Sequence, residues 1–152
     1  MRVAIVYDSE TGTTKAAAEE MAAIVRSAGL DCSVEPAWEA DAAAVSTADA
    51  ICIGCWTQGL FIVAQHPTDR ALLFIDRLGP FDGKPAAVFT TYKLAVGGML
   101  RQLAARLEAR GARVTGQFKS RGPHAAREFE AWVRSLPLER PSSLPEEGSE
   151  AT

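Results

Sequence analysis

Short apolar runs alternate with longer amphipathic stretches along the chain from its first residues. The runs at residues 3–7, 50–54 and 85–90 are almost continuously apolar. Such runs are typical of strands that are buried on both faces of a parallel sheet. Two shorter segments, residues 32–35 and 114–118, predict a second and a fifth strand.

The stretches between these strands have helical spacing. In the first of them, Met21, Ile24 and Val25 share one face, and Gly29 supplies a stop signal. The pattern predicts helices over residues 13–28, 41–45, 68–78, 98–110 and 123–135. Strands that alternate with helices predict an α/β three-layer sandwich around a five-stranded parallel sheet. Right-handed crossovers leave few topologies, and the strand order 2-1-3-4-5 is one of the common ones.

The chain length fits one domain with a tail. Of the 152 residues, we expect 1–136 to fold as a single domain. Residues 137–152 are rich in Pro, Ser and Glu. Such a composition buries too little apolar surface to offset the entropy of ordering, so we expect a flexible C-terminal tail.

Charge and cysteine usage narrow the class of function. The formal net charge of −3 argues against nucleic acid as a partner. No apolar stretch is long enough for membrane insertion, and the first residues run directly into a strand without an export segment. The three cysteines cannot all pair, which favours a reduced, cytoplasmic chain.

A hydroxyl-rich segment follows the first predicted strand and leads directly into the first helix. It consists of Ser9, Glu10, Thr11, Gly12, Thr13 and Thr14. Backbone N–H groups at a helix N-terminus favour an anion, and hydroxyls add donors. Capping alone would need one hydroxyl, so four in six residues favour a phosphate. The fingerprints of dinucleotide and triphosphate loops are missing, which favours a mononucleotide.

The run from Ile5 to Thr14, followed by Ala18, resembles the N-terminal signature of the flavodoxin family. Met21 departs from it, because the signature usually has Leu, Ile or Val there. The resemblance covers roughly residues 1–135 and lacks the segment that long-chain members insert in the fifth strand. It implies a short-chain, flavodoxin-like fold with FMN as cofactor. It also implies a monomeric electron-transport protein with separate redox partner proteins, a reductase and an acceptor.

Two further loops complete the predicted cofactor site. The residues after the third strand are Cys55, Trp56, Thr57, Gln58 and Gly59, and those at the end of the fourth are Thr90, Thr91, Tyr92 and Lys93. The resemblance implies that Trp56 and Tyr92 flank the two faces of the flavin. A planar ligand at a sheet edge also needs flat apolar walls. Either ring alone could instead fold back over the core.

Other motifs carry less weight. Cys52 and Cys55 form a Cys-x-x-Cys motif, but residues three apart in a strand point to opposite faces, which argues against a dithiol. No metal-ligand spacing and no nucleophile triad is present, so no side chain is assigned a catalytic role. Asp8 could imitate the phosphoacceptor of a receiver domain, although the hydroxyl-rich loop fits phosphate binding better.

Two alternatives to an electron carrier remain open from the sequence. One is an FMN-dependent NAD(P)H or quinone reductase on the same fold. The other is a flavodoxin-like partner-binding module that has lost FMN.

Overall fold

Five parallel strands form the central sheet. The structure, a computed structural model, describes residues 1–9, 12–56, 58–60, 63–66, 68–92, 98–120 and 122–136. The parallel strands are β1 (Arg2–Asp8), β2 (Asp31–Pro36), β3 (Ala50–Trp56), β6 (Pro85–Thr91) and β7 (Arg113–Ser120). Their order in the sheet is β2-β1-β3-β6-β7, which confirms the predicted order 2-1-3-4-5.

Helices cover both faces of this sheet. They are α1 (Thr13–Ser27), α2 (Ala42–Ser46), α3 (Asp69–Asp76), α4 (Met99–Glu108) and α5 (Phe129–Ser135). Alternate residues of each strand point to opposite faces and build two separate cores. Val6, Ile53 and Val88 pack with α3 and α4, on what we call the α3/α4 face. Ile5 and Phe89 pack with α1 and α5, on the α1/α5 face.

A short hairpin between β3 and α3 was not predicted. It consists of β4 (Gln58–Leu60) and β5 (Val63–His66), which pair in antiparallel fashion as a separate two-stranded sheet. The sequence pattern carries no alternation over these few residues, so nothing in it distinguishes a hairpin from a loop.

The last helix begins later than predicted. Residues 122–128 form bends and turns, and α5 starts at Phe129 instead of Pro123. The carboxylate of Glu20, on α1, accepts a hydrogen bond from the backbone N–H of Ala125 at 3.2 Å and lies 3.2 Å from His124 Nδ1. These contacts hold residues 122–128 against α1 in a non-helical conformation. Local helix propensity does not include contacts with α1, so it does not predict this late start of α5.

Candidate functional site

Several of the predicted site residues that the structure describes lie at one edge of the five-stranded sheet. The carboxyl ends of β1, β3 and β6 lie in one row, because Asp8 pairs with Cys55 and Cys55 pairs with Thr90. Trp56 pairs in turn with Thr91. In open α/β sheets, ligands bind beyond this edge at the point where the strand order reverses. Here that point lies between β1 and β3.

The pairing corrects the predicted ends of three strands, the first of which is β1, predicted to end at Tyr7 but extending to Asp8. Cys55 and Trp56 belong to β3, which was predicted to end at Gly54, and Thr91 belongs to β6, which was predicted to end at Thr90. Each strand is extended by hydrogen bonds to its neighbour in the sheet. The neighbour is distant in sequence, so the local pattern of polar and apolar residues does not predict the extension. The loops are therefore shorter than the sequence indicated.

The segment between β1 and α1 is shaped by Gly12. Gly12 caps α1 with a φ of 94°, a left-handed conformation that side chains rarely adopt. Its N–H donates to the Ser9 hydroxyl at 3.0 Å, which ties the end of β1 to the start of the helix. At a helix N-terminus the first N–H groups lie ahead of any carbonyl of a preceding turn, so such a terminus favours an anion. Glu10 and Thr11 lie outside the described residues.

The two threonines that open α1 have different surroundings. Thr13 is half-buried, whereas the Thr14 side chain is buried and its hydroxyl lies 2.6 Å from the Thr91 hydroxyl. Thr14 therefore joins the start of α1 to the end of β6. Of the described hydroxyls predicted to bind phosphate, those of Ser9 and Thr13 are the more accessible.

The end of β3 contributes one aromatic ring to the edge. Trp56 is half-buried and follows Cys55, which is fully buried. The Thr90 hydroxyl donates to the Cys55 carbonyl oxygen at 2.7 Å and so fixes the ends of β3 and β6 together. Thr57 lies outside the described residues. Gln58 and Gly59 lie in β4, and Gln58 pairs with His66.

Tyr92 follows β6 at the same edge. It is half-buried, and its backbone N–H donates to the Ser120 carbonyl at 3.1 Å, which anchors this loop to β7. The two rings expected to flank a planar ligand therefore leave the sheet from neighbouring strands. Lys93 lies outside the described residues.

The Cys-x-x-Cys motif is part of the core. Cys52 packs on the α1/α5 face and Cys55 on the α3/α4 face, which confirms that the two side chains point apart. Burial raises the pKa of the Cys55 thiol to about 12, although hydrogen bonds with Thr68 act in the opposite direction. Burial also raises the pKa of Cys52 well above its ordinary value of 9.0. All three cysteines are free thiols.

Sequence reasoning missed a charged cluster beside the loop that follows β1. The Asp8 side chain is only 4% exposed, and its carboxylate Oδ1 lies 3.5 Å from Nη1 of Arg70, on α3. The Arg70 guanidinium also stands over the Trp38 ring, 5.7 Å from its centre. The available signal was a carboxylate directly after the strand predicted over residues 3–7, a strand that extends to Asp8 in the structure. Its partner Arg70 is 62 residues away, so the sequence could not identify it.

These residues fit a phosphate monoester attached to a flat ring system. A helix N-terminus and hydroxyl groups offer neutral donors to a phosphate, and Trp56 and Tyr92 offer apolar surface. The buried Asp8 would repel an anion, but Arg70 balances its charge. Within the part of the chain that the structure describes, His, Cys, Asp and Glu form no cluster of three that could hold a metal.

This arrangement defines a doubly wound α/β protein with a candidate nucleotide site at its topological switch point. The family model described as Flavodoxin matches residues 5–135. The flavodoxin of Megasphaera elsdenii is 31% identical over 116 residues, which are 75% of this chain and 82% of that relative. The chain therefore belongs to the flavodoxin family, whose members are FMN-binding electron-transfer proteins.

Solved structures agree with this assignment. The solution structure of two-electron reduced Megasphaera elsdenii flavodoxin superposes with a TM-score of 0.76 at 29% identity, covering 90% of this chain and 98% of that one. A flavodoxin from Streptococcus pneumonia TIGR4 superposes with a TM-score of 0.71 at 21% identity, covering 91% and 97%. At that lower identity the likeness shows the fold alone. No described helix is long and apolar enough to cross a membrane.

Proposed function

We propose that this chain binds one FMN beyond the carboxyl ends of β1, β3 and β6 and exchanges electrons with separate redox partner proteins. One observation carries the proposal. The register of the three strands brings a hydroxyl-rich helix N-terminus, Trp56 at the end of β3 and Tyr92 directly after β6 to one edge of the sheet. Neither feature alone would distinguish a cofactor site from an ordinary helix cap and two packed rings.

Each loop has a separate part in this proposal. The amides of the first turn of α1, with the hydroxyls of Ser9, Thr11 and Thr13, bind the phosphate, and Glu10 and Gly12 shape the turn. Trp56 and Tyr92 provide the walls for the ring. The backbone of Thr57, Gln58 and Gly59 and the residues around Lys93 line its edge. When bound, FMN supplies the redox chemistry, and the protein supplies binding, orientation and electrostatic tuning.

The partners follow from the same reasoning. With FMN carrying the electrons, the chain needs a donor and an acceptor but no catalytic side chain of its own. We propose separate proteins for both roles, a monomeric carrier and a cytoplasmic location. Three free thiols and a formal net charge of −3 are consistent with that location and with protein partners rather than nucleic acid.

A titration that compares FMN with riboflavin tests the proposal. Riboflavin has the same ring system but no phosphate, so the wild-type protein should bind FMN much more tightly. Replacing Thr11 and Thr13 together by Ala should weaken FMN by about 1–3 kcal/mol through lost hydrogen bonds, with little effect on riboflavin. Equal affinity of the wild-type protein for both flavins, measured by fluorescence quenching, would contradict a phosphate site.

The stacking part of the proposal has its own variants. Trp56→Ala and Tyr92→Ala should each weaken both flavins, because each removes a wall of the ring site whatever the phosphate does. They should also restore emission from the flavin that is still bound. Unchanged affinity and emission in both variants would place the ring elsewhere on the protein.

A further inference from the structure

We propose that Arg70 is a positioning residue for the phosphate end of the flavin site. Building on the proposed function, Arg70 neutralises the buried Asp8 carboxylate beside the phosphate loop and thereby allows a doubly charged phosphate to bind there. The ligand group is a phosphate monoester. Its affinity depends on Asp8 and Arg70, which both lie outside the loop that binds the phosphate.

Asp8 is an unfavourable neighbour for a phosphate. It is the last residue of β1 and directly precedes Ser9, the first residue of the proposed phosphate loop. Its side chain turns to the α3/α4 face, away from α1, and is nearly inaccessible to water. A buried carboxylate is poorly screened by solvent, so its field extends to neighbouring groups, of which Ser9 is the next residue in the chain. A phosphate monoester carries about −1.5 to −2 charges at neutral pH, so the two groups repel each other.

Arg70 is placed to cancel that repulsion. It lies in the first turn of α3, and its guanidinium is held between the Asp8 carboxylate and the face of the Trp38 ring. Its side chain is 67% exposed, and therefore it reaches the carboxylate from the solvent side. The ring beneath it limits the conformations of a long side chain that would otherwise be mobile.

The structure offers a matched control on the same helix. Arg77 directly follows α3, at the end opposite Arg70, and its guanidinium stands 5.5 Å from the centre of the Phe74 ring. Arg70 and Arg77 thus carry the same charge, and each guanidinium lies at a similar distance from the centre of an aromatic ring. They differ in that Arg70 alone contacts Asp8 among the described residues.

The experiment measures FMN and riboflavin affinities by fluorescence quenching. The proteins are wild type, Arg70→Ala, Arg70→Lys, Arg77→Ala, Asp8→Asn and Asp8→Asn/Arg70→Ala. Arg70→Ala should weaken FMN about three- to fivefold and leave riboflavin unchanged within about 1.5-fold, since exposed charge pairs contribute at most about 1 kcal/mol. Arg77→Ala should change neither flavin. Arg70→Lys should keep most of the preference for FMN, because the charge remains.

The double variant provides the decisive result. Asp8→Asn removes the charge that Arg70 balances, so Asp8→Asn/Arg70→Ala should bind FMN within about twofold of wild type. The inference is overturned if Arg70→Ala resembles Arg77→Ala, if it weakens both flavins equally, or if Asp8→Asn fails to restore FMN. A wild-type protein that binds FMN no better than riboflavin would instead refute the proposed function. Urea unfolding without flavin checks that every variant is folded.

Discussion

At the scale of single residues, the hydroxyl pair of Thr14 and Thr91 joins the two ends of the candidate site. Both side chains are buried, and their oxygens are 2.6 Å apart. A buried hydroxyl that loses its partner bears the full cost of its desolvation, whereas removing both hydroxyls together can be almost neutral. The pair therefore stabilises the fold mainly by keeping each hydroxyl satisfied.

Valine substitutions test this pair. Thr14→Val and Thr91→Val should each lower the free energy of unfolding by about 1–3 kcal/mol, because each leaves one buried hydroxyl unpaired. The double variant should lose clearly less than the sum of the two single variants. Urea denaturation of the flavin-free proteins gives the free energy of unfolding for wild type, the two single variants and the double variant. Strictly additive losses would show that the two hydroxyls do not depend on each other.

The thiols give a second prediction at this scale. Burial raises the pKa of Cys32 to about 11 and that of Cys55 to about 12, and only the thiolate is nucleophilic. At pH 8 the native protein should react very slowly with a disulfide reagent, and three thiols should appear once it is denatured. The half-buried Cys32 should react first, at a rate that rises about tenfold per pH unit below its pKa.

Cys32→Ser is the control for this measurement, because it should abolish the slow native reaction. Folding raises the thiol pKa values above the ordinary 9.0, so the folded state holds these protons more tightly. The stabilisation that results is fully present below pH 9 and is lost as the pH rises towards 11–12. Rapid labelling of all three thiols in the native protein at pH 8 would contradict the burial seen here.

At the scale of elements, the close approach of β3 and β6 depends on Gly54. Gly54 pairs with Phe89, and the Phe89 ring covers the position of the missing side chain. A Cβ on Gly54 would lie 2.4 Å from the nearest carbon of that ring. Real contacts of this kind do not occur at such distances, so the ring and the strand cannot both keep their places. The requirement is steric, because Gly54 has no positive φ.

Gly54→Ala should therefore lower the free energy of unfolding by about 1–3 kcal/mol, the usual cost of overpacking a core. Phe89→Leu in the same chain should recover part of the loss, because a smaller side chain vacates the space. Gly79→Ala is the matched control, since the nearest atom to its Cβ would lie at 3.7 Å. Urea midpoints that are the same for Gly54→Ala and Gly79→Ala would show that the strands can adjust.

At the scale of the whole molecule, the formal net charge comes from one end of the sequence. Residues 137–152 contain four glutamates and one arginine, which together account for all of the formal net charge of −3. Residues 1–136 are thus neutral overall. We propose that these residues are the complete folding unit, and that the tail serves solubility rather than stability.

Truncation after Leu136 tests this division. The free energy of unfolding should change by less than about 0.5 kcal/mol, and FMN affinity should stay the same, because the removed segment is poor in apolar residues. The truncated protein should associate more readily at neutral pH, as light scattering would detect, since its net charge is zero. A large loss of stability would place part of the tail within the folding unit.

The sequence by itself determined the order of the parallel strands and helices and the topology of the sheet, and with them the sheet edge at which we propose the site. These follow from local signals, because apolar runs, helical spacing and glycine stops are properties of neighbouring residues. Right-handed crossovers then leave few ways to arrange the strands. The hydroxyl-rich loop was proposed as a phosphate site from its own composition, and the resemblance to flavodoxins suggested Trp56 and Tyr92 as the flanking aromatics.

Only the tertiary structure decided the features that depend on residues distant in sequence. The extension of β3 to Trp56 comes from pairing with β1 and β6, and the late start of α5 comes from Glu20 on α1. The contact of Asp8 with Arg70 spans 62 residues. These element boundaries and contacts depend on packing and hydrogen bonding between residues distant in sequence. Such interactions outweigh the small differences in local secondary-structure propensity.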